Sequence, residues 1–129
     1  MKITAMLALC LGAFALTGCV SLEDQQNVAA IAREHTRKEE YIRSHPKLSP
    51  ARVAQIRAGQ VQIGMTSEEV FASLGNTDTR NTTTTAFGTH EQWGYGGAYI
   101  GSDMIRPSNL FLYFDNNILT SIQELGGAR

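Results

Sequence analysis

Two cysteines are all the chain has, and both, Cys10 and Cys19, fall within its first 19 residues. From Val20 onward there is no thiol, which excludes a disulfide inside that stretch, a thiol nucleophile and a cysteine-ligated metal. Blocks of like charge are missing too. Eleven basic residues face twelve acidic ones, a formal net charge of −1, so nucleic acid and anionic lipid surfaces are poor partners. There are three histidines, His35, His45 and His90, and no two have the i, i+4 or short-loop spacing of metal ligands, so no metal site is expected. No serine sits in a Gly-x-Ser-x-Gly setting. Glu68 and Glu69 are adjacent, about 100° apart on a helix, and do not converge as an acid–base pair. The glycine-rich stretch Gly94 to Gly101 has no following helix and no Lys-Ser/Thr pair to make it a phosphate loop. The expectation is a protein without catalytic residues, metal or cofactor, and not an enzyme.

What the chain does have begins at its start. Lys2 precedes an apolar stretch from Ile3 to Leu16, and Leu16-Thr17-Gly18-Cys19 follows. The stretch is too short to span a bilayer, which takes roughly 20 apolar residues, and it has the layout of an export signal. Leu16-Thr17-Gly18-Cys19 resembles the bacterial lipobox, in which a branched apolar residue and two small residues let a peptidase cut before the cysteine. The resemblance implies that residues 1–18 are removed and that Cys19 is lipidated on its sulfur and its new amine, giving the several acyl chains that stable anchoring needs. Val20, which is not an aspartate, favours the outer membrane over the inner one by analogy with enterobacterial sorting.

Residues 19–47 read as a lipid-anchored polar tether. From Leu22 to Arg43 there is no Gly or Pro, and Val28, Ile31, His35 and Ile42 form a thin stripe at helical spacing. This predicts a mostly solvated helix, a spacer or an arm lying on the domain, ended by Ser44-His45-Pro46. Residues 48–125 carry a compact pattern. Ser49-Pro50 starts a short helix that buries Val53 and Ile56 and stops at Gly59. Thr66-Ser67-Glu68-Glu69 is a capping box for a second helix with Val70, Phe71 and Leu74 on its core face, closed by Gly75 in a left-handed cap. The residue types then turn β-prone: Thr79 to Thr85, Glu91 to Tyr95, Leu110 to Phe114 and, after the Asp115-Asn116-Asn117 turn, Ile118 to Glu124. Leu110, Leu112 and Phe114 share one face. In the last strand either Ile118, Thr120 and Ile122 or Leu119 with Ser121 match them, depending on the register of the turn. The fold class is α+β: two short helices packed on one face of a small antiparallel sheet of three to four strands.

The run Ile56 to Val70 containing Gly64-Met65-Thr66 and Glu68-Glu69-Val70, then Leu74-Gly75, Trp93-x-Tyr95 and Leu112-Tyr113-Phe114-Asp115-Asn116-Asn117, resembles the SmpA/OmlA (BamE-like) lipoprotein domain. The likeness covers about residues 48–123. Asn76-Thr77 stands where that family usually has a proline, and the lead from Val20 to Leu48 is longer than in the known subunit. The resemblance implies a two-layer fold, a lipidated N-terminus and a role as accessory subunit of the outer-membrane β-barrel assembly machine. The same architecture resembles that of secreted β-lactamase inhibitor proteins, which implies the alternative of a lipid-anchored inhibitor or ligand-binding module for a periplasmic hydrolase.

Interaction residues are therefore the ones to seek. The stretch from Gly94 to Arg106 holds Tyr95, Tyr99, Ile100, Met104, Ile105 and Arg106, types favoured at protein interfaces. Tyr95, Tyr99, Ile100, Met104 and Arg106 are the candidate partner-binding residues, and the competing expectation is that some of them fold back onto the sheet edge. Thr82 to Thr85 reads as an exposed edge strand, open to another chain or simply solvated.

Overall fold

The computed structural model describes residues 21–96, 98–100, 103–106 and 109–125, with 98–100 and 103–106 as backbone. Three helices come first: α1 (Leu22–Ser44), α2 (Pro50–Arg57) and α3 (Ser67–Leu74). Six strands follow: β1 (Thr79–Thr85), β2 (Gly88–Tyr95), β3 (Ala98–Ile100), β4 (Asp103–Arg106), β5 (Leu110–Asp115) and β6 (Ile118–Glu124). Strands β1, β2, β5 and β6 form one antiparallel sheet in that order, and β3 pairs with β4 in a separate two-stranded ladder. The α+β class with helices on a sheet is thus the fold observed.

Local chemistry accounts for the boundaries. The Ser21 side chain accepts from the Asp24 backbone N–H and starts α1; the Ser49 side chain does the same for Arg52, with Pro50 at the first helical position of α2. After α2 the N–H of Gln60 donates to the Gln55 carbonyl and that of Gly59 to the Ile56 carbonyl. That pair of bonds is a Schellman motif, and Gly59 supplies its positive φ of 67°. At α3 both halves of the capping box form: Thr66 Oγ1 accepts from the Glu69 N–H, and the Glu69 carboxylate accepts from the Thr66 N–H. The expected left-handed cap at Gly75 is corrected. Gly75 has φ 81° and ψ −160°, an extended conformation of positive φ, because the chain turns directly toward the sheet beneath the Arg37 guanidinium.

The core lies between α2, α3 and the sheet, where Ile56, Met65, Val70, Ala72 and Leu74 meet Trp93, Tyr95, Leu110, Leu112, Phe114 and Leu119. Each large side chain there contributes roughly 1.5–3 kcal/mol by leaving water. Between β5 and β6 the residues Asn116 (φ 47°) and Asn117 (φ 73°) make a type I′ turn that pairs Asp115 with Ile118. A bulge at Tyr113/Phe114 then shifts the register. As a result Leu119, which is fully buried, and Ile122, packed against the core, face inward together. Neither expected set is the right one, because an inserted residue changes the side-chain parity along the strand.

Candidate interaction surface

Helix α1 docks on the domain by a face that shares only Ile42 with the apolar stripe. Val28 and Ile31 are 65% and 51% exposed, whereas Lys38 is buried and Tyr41 and Ile42 pack against the core. Cations explain the difference. Arg37 Nε donates to the Ala72 carbonyl at 3.2 Å, in the last turn of α3, and Lys38 Nζ lies beside Gly59, just past α2, while bonding Glu34 at 2.6 Å. Positive groups at the carbonyl ends of two helices are favourable there. Arg57, at the end of α2, adds a bidentate pair to Glu39 of α1 at 2.7 and 2.9 Å. That bond holds the Glu39 carboxyl below its usual range and lifts Arg57 above its own.

Of the expected partner-binding set, Tyr95 alone has its side chain among the described residues. Tyr95 is corrected: it is 2% exposed, and its hydroxyl donates to the Gly75 carbonyl at 3.2 Å. It belongs to the core because it sits two residues from Trp93 on the same face of β2. Tyr99 and Met104 are paired residues of the β3–β4 ladder, as are Ile100 with Asp103 and Ala98 with Arg106; the side chains of Tyr99, Ile100, Met104 and Arg106 lie outside the described residues. So does Cys19. Phe71 is a second correction, since it is 41% exposed rather than part of the core face of α3. Ser73 takes an inward place instead, with Oγ donating to the Gln60 carbonyl at 2.7 Å.

Two of the three histidines make local structural contacts. His45 stacks on Tyr41 with ring centroids 4.0 Å apart, its Nδ1 2.8 Å from the Tyr41 carbonyl oxygen. His90 Nδ1 is 2.5 Å from Asp115 Oδ1 across β2 and β5. Among the described residues no three His, Cys, Asp or Glu side chains form a group that could hold a metal ion. No helix among them is long and apolar enough to cross a membrane.

What the described residues present is a pair of unlike sheet faces and, along β1, an uncovered edge. Away from the helices, Asn81, Gln92, Tyr113 and Gln123 form a hydrogen-bonded row across all four strands, at 3.3, 3.1 and 3.0 Å. Toward the helices, Arg80 of β1 stands opposite Trp93 of β2. Its guanidinium lies 5.2 Å from the ring centroid and bonds Glu91 at 2.8 Å, while Trp93 Nε1 donates to the same carboxylate at 2.7 Å. The bond from Arg80 holds the Glu91 carboxyl below its usual value, against the effect of burial, and the indole N–H assists. Beside this cluster a hollow of about 460 Å³ is lined by Tyr41, His45, Ser67, Glu68, Phe71, Arg80 and Trp93. Burial pushes the Tyr41 hydroxyl pKa upward, and the carboxylates of Glu69 and Glu68 push it the same way.

Strand β1 is exposed along all seven residues. Among the described residues its only ladder partner is β2, so every second residue turns its N–H and C=O outward. At the β1–β2 turn Phe87 is 93% exposed. Sequence reasoning anticipated the edge but missed Tyr41, Phe71, Arg80 and Phe87, since an Arg–Trp pair is visible only once the strand register is known. The class the structure defines is a small two-layer α+β domain docked on a helical arm. The chain matches no protein-family model, no curated protein and no solved structure.

Proposed function

We propose that the chain is a non-catalytic lipoprotein of the bacterial envelope, anchored through Cys19 on the periplasmic face of the outer membrane. It acts as a scaffold or accessory subunit that binds another protein during envelope assembly. The observation that carries this is the apolar run closed by Leu16-Thr17-Gly18-Cys19, with a helix N-cap at Ser21 only two residues later. An arm that starts so close to the lipid leaves little slack. Helix α1 has 23 residues, about 35 Å at 1.5 Å per residue; its last turns, from Arg37 on, are clamped to the domain, and its first turns span from the lipid toward it. The likeness of Gly64-Met65-Thr66, Glu68-Glu69-Val70 and Leu74-Gly75 to the SmpA/OmlA domain supports an accessory role in β-barrel assembly.

The test is metabolic labelling with palmitate followed by a crosslinking pull-down from native membranes. The intact chain takes up label, fractionates with outer membrane and recovers a membrane-assembly component, and Cys19→Ser does none of these. Unlabelled intact chain overturns the anchor; labelled chain that recovers no partner overturns the scaffold role. One feature favours a second reading, a tethered inhibitor of a periplasmic hydrolase: Phe87 stands almost fully exposed on a hairpin tip, the shape of a residue that plugs a cleft. In that case Phe87→Ser abolishes inhibition of the hydrolase.

A further inference from the structure

The bare edge of β1 and the hollow beside it are one continuous feature. Arg80 belongs to both: it is the second residue of β1 and part of the hollow's wall. Residues of β1 that share its face, Thr82 and Thr84, point to the helix side. A strand added along β1 therefore turns alternate side chains toward the hollow, while its backbone bonds the outward N–H and C=O groups of β1.

The hollow has a definite chemistry. Four rings line it, those of Tyr41, His45, Phe71 and Trp93. Its charges are Arg80, already neutralised by Glu91 at 2.8 Å, and Glu68, an exposed carboxylate with no salt-bridge or hydrogen-bond partner among the described residues. The positive end of α3 is met by Glu69 in the capping box, which leaves Glu68 in excess. Ring faces and an unpaired carboxylate are both complementary to a cation, and an uncharged or acidic side chain lacks that match. The negative field at the Tyr41 hydroxyl, which Glu69 and Glu68 produce, has the same sign.

We propose that β1 and the Tyr41–Phe71–Glu68 hollow form a docking site for an extended segment of a partner protein that carries a lysine or arginine. The segment pairs with β1 as a fifth strand and its cation enters the hollow. This rests on the binding-protein reading above and specifies its partner's chemistry.

Trp93 is the only tryptophan in the chain and lines the hollow, so its emission reports occupancy. The full-length chain, purified in a non-ionic detergent, is titrated with a capped hexapeptide of alternating Val and Lys. The controls are the Val/Glu counterpart and the Val/Lys peptide N-methylated at alternate residues. The Val/Lys peptide produces a saturable Trp93 shift, binds at least about ten times more tightly than the Val/Glu peptide, and loses binding on N-methylation. Glu68→Gln weakens it about fivefold and Phe71→Ala about tenfold, with circular dichroism unchanged because both side chains are exposed. No response up to about 1 mM peptide, equal response to both peptides, or full affinity in Phe71→Ala overturns the site. N-methylated peptide that still binds overturns the strand pairing. These failures leave palmitate labelling at Cys19 intact, and loss of labelling leaves the titration intact, so the two readings fail separately.

Discussion

The two edges of the sheet are treated differently. At the start of β6, residues 64–67 lie alongside: Gly64 N–H donates to the Leu119 carbonyl at 2.8 Å, Leu119 N–H to Met65 at 2.8 Å and Ser67 N–H to Asn117 at 3.0 Å. The covering segment is also the lead-in to α3, so one short stretch closes an edge, buries Met65 and positions a helix. Along β1 none of the described residues does the same. Its composition of five threonines, one asparagine and one arginine in seven residues contains no proline or lysine, and β1 carries no bulge against β2. Lysine, proline and bulges commonly blunt an edge; the one charge on β1, Arg80, faces the helix side and is taken up by Glu91. The start of one edge is thus built into the fold, while the other is left uncovered along its length by the described residues, and substitutions at the two places should differ in kind.

The largest effect belongs to the closed edge. Met65→Ala, fully buried where residues 64–67 meet β6, should lower unfolding stability by about 2–5 kcal/mol in urea titration; a change under 0.5 kcal/mol would mean that this edge is not held as described. Removing the cap at the same place, Thr66→Ala, should cost about 1 kcal/mol, read in the same titration.

On the β1 side the effects shrink. The bond to Arg80 holds the Glu91 carboxyl below the usual carboxylate range, so the stabilisation it brings is present above that range and lost as pH falls through the lower folded value. Arg80 is half exposed, and water screening limits the contribution to about 1 kcal/mol or less. The gap between wild type and Glu91→Gln should accordingly be widest near neutrality and close in acid; a gap that widens on acidification would contradict the Arg80–Glu91 pairing. Smallest of all, Thr82→Lys should alter stability by no more than about 0.5 kcal/mol, because an exposed edge residue packs on nothing, while still obstructing a strand that comes alongside.

Much of this contrast was legible before the fold was known, and for identifiable reasons. The capping box at Thr66–Glu69, the Ser49-Pro50 start and the Asn116-Asn117 turn are short-range signals, each set by residues within four positions. The apolar alternation of Leu110, Leu112 and Phe114 placed the inner face of β5 correctly. Tyr95 was also open to the same argument, since it is in step with Trp93, but its glycine neighbours drew it toward a loop. The remainder depends on partners far apart in the chain. Arg37 packs on α3 through a carbonyl 35 residues away, and hydrophobic periodicity has no way to score a cation. The bulge in the β5–β6 ladder, which decides between Leu119 and its neighbours, appears only when two strands are paired. Phe71 follows the helical period of the core, yet it faces the gap between α1 and β1, because the position of α1 is set by Arg37 and Lys38.

The most direct test is photocrosslinking in intact cells with a reactive residue at Thr82 on β1 or at Ile118, where Thr66 lies alongside β6. The prediction is a protein adduct from Thr82, lost in the Cys19→Ser background, and none from Ile118. An adduct from Ile118 with none from Thr82, or a Thr82 adduct undiminished without Cys19, would contradict an anchored protein that binds through its open edge.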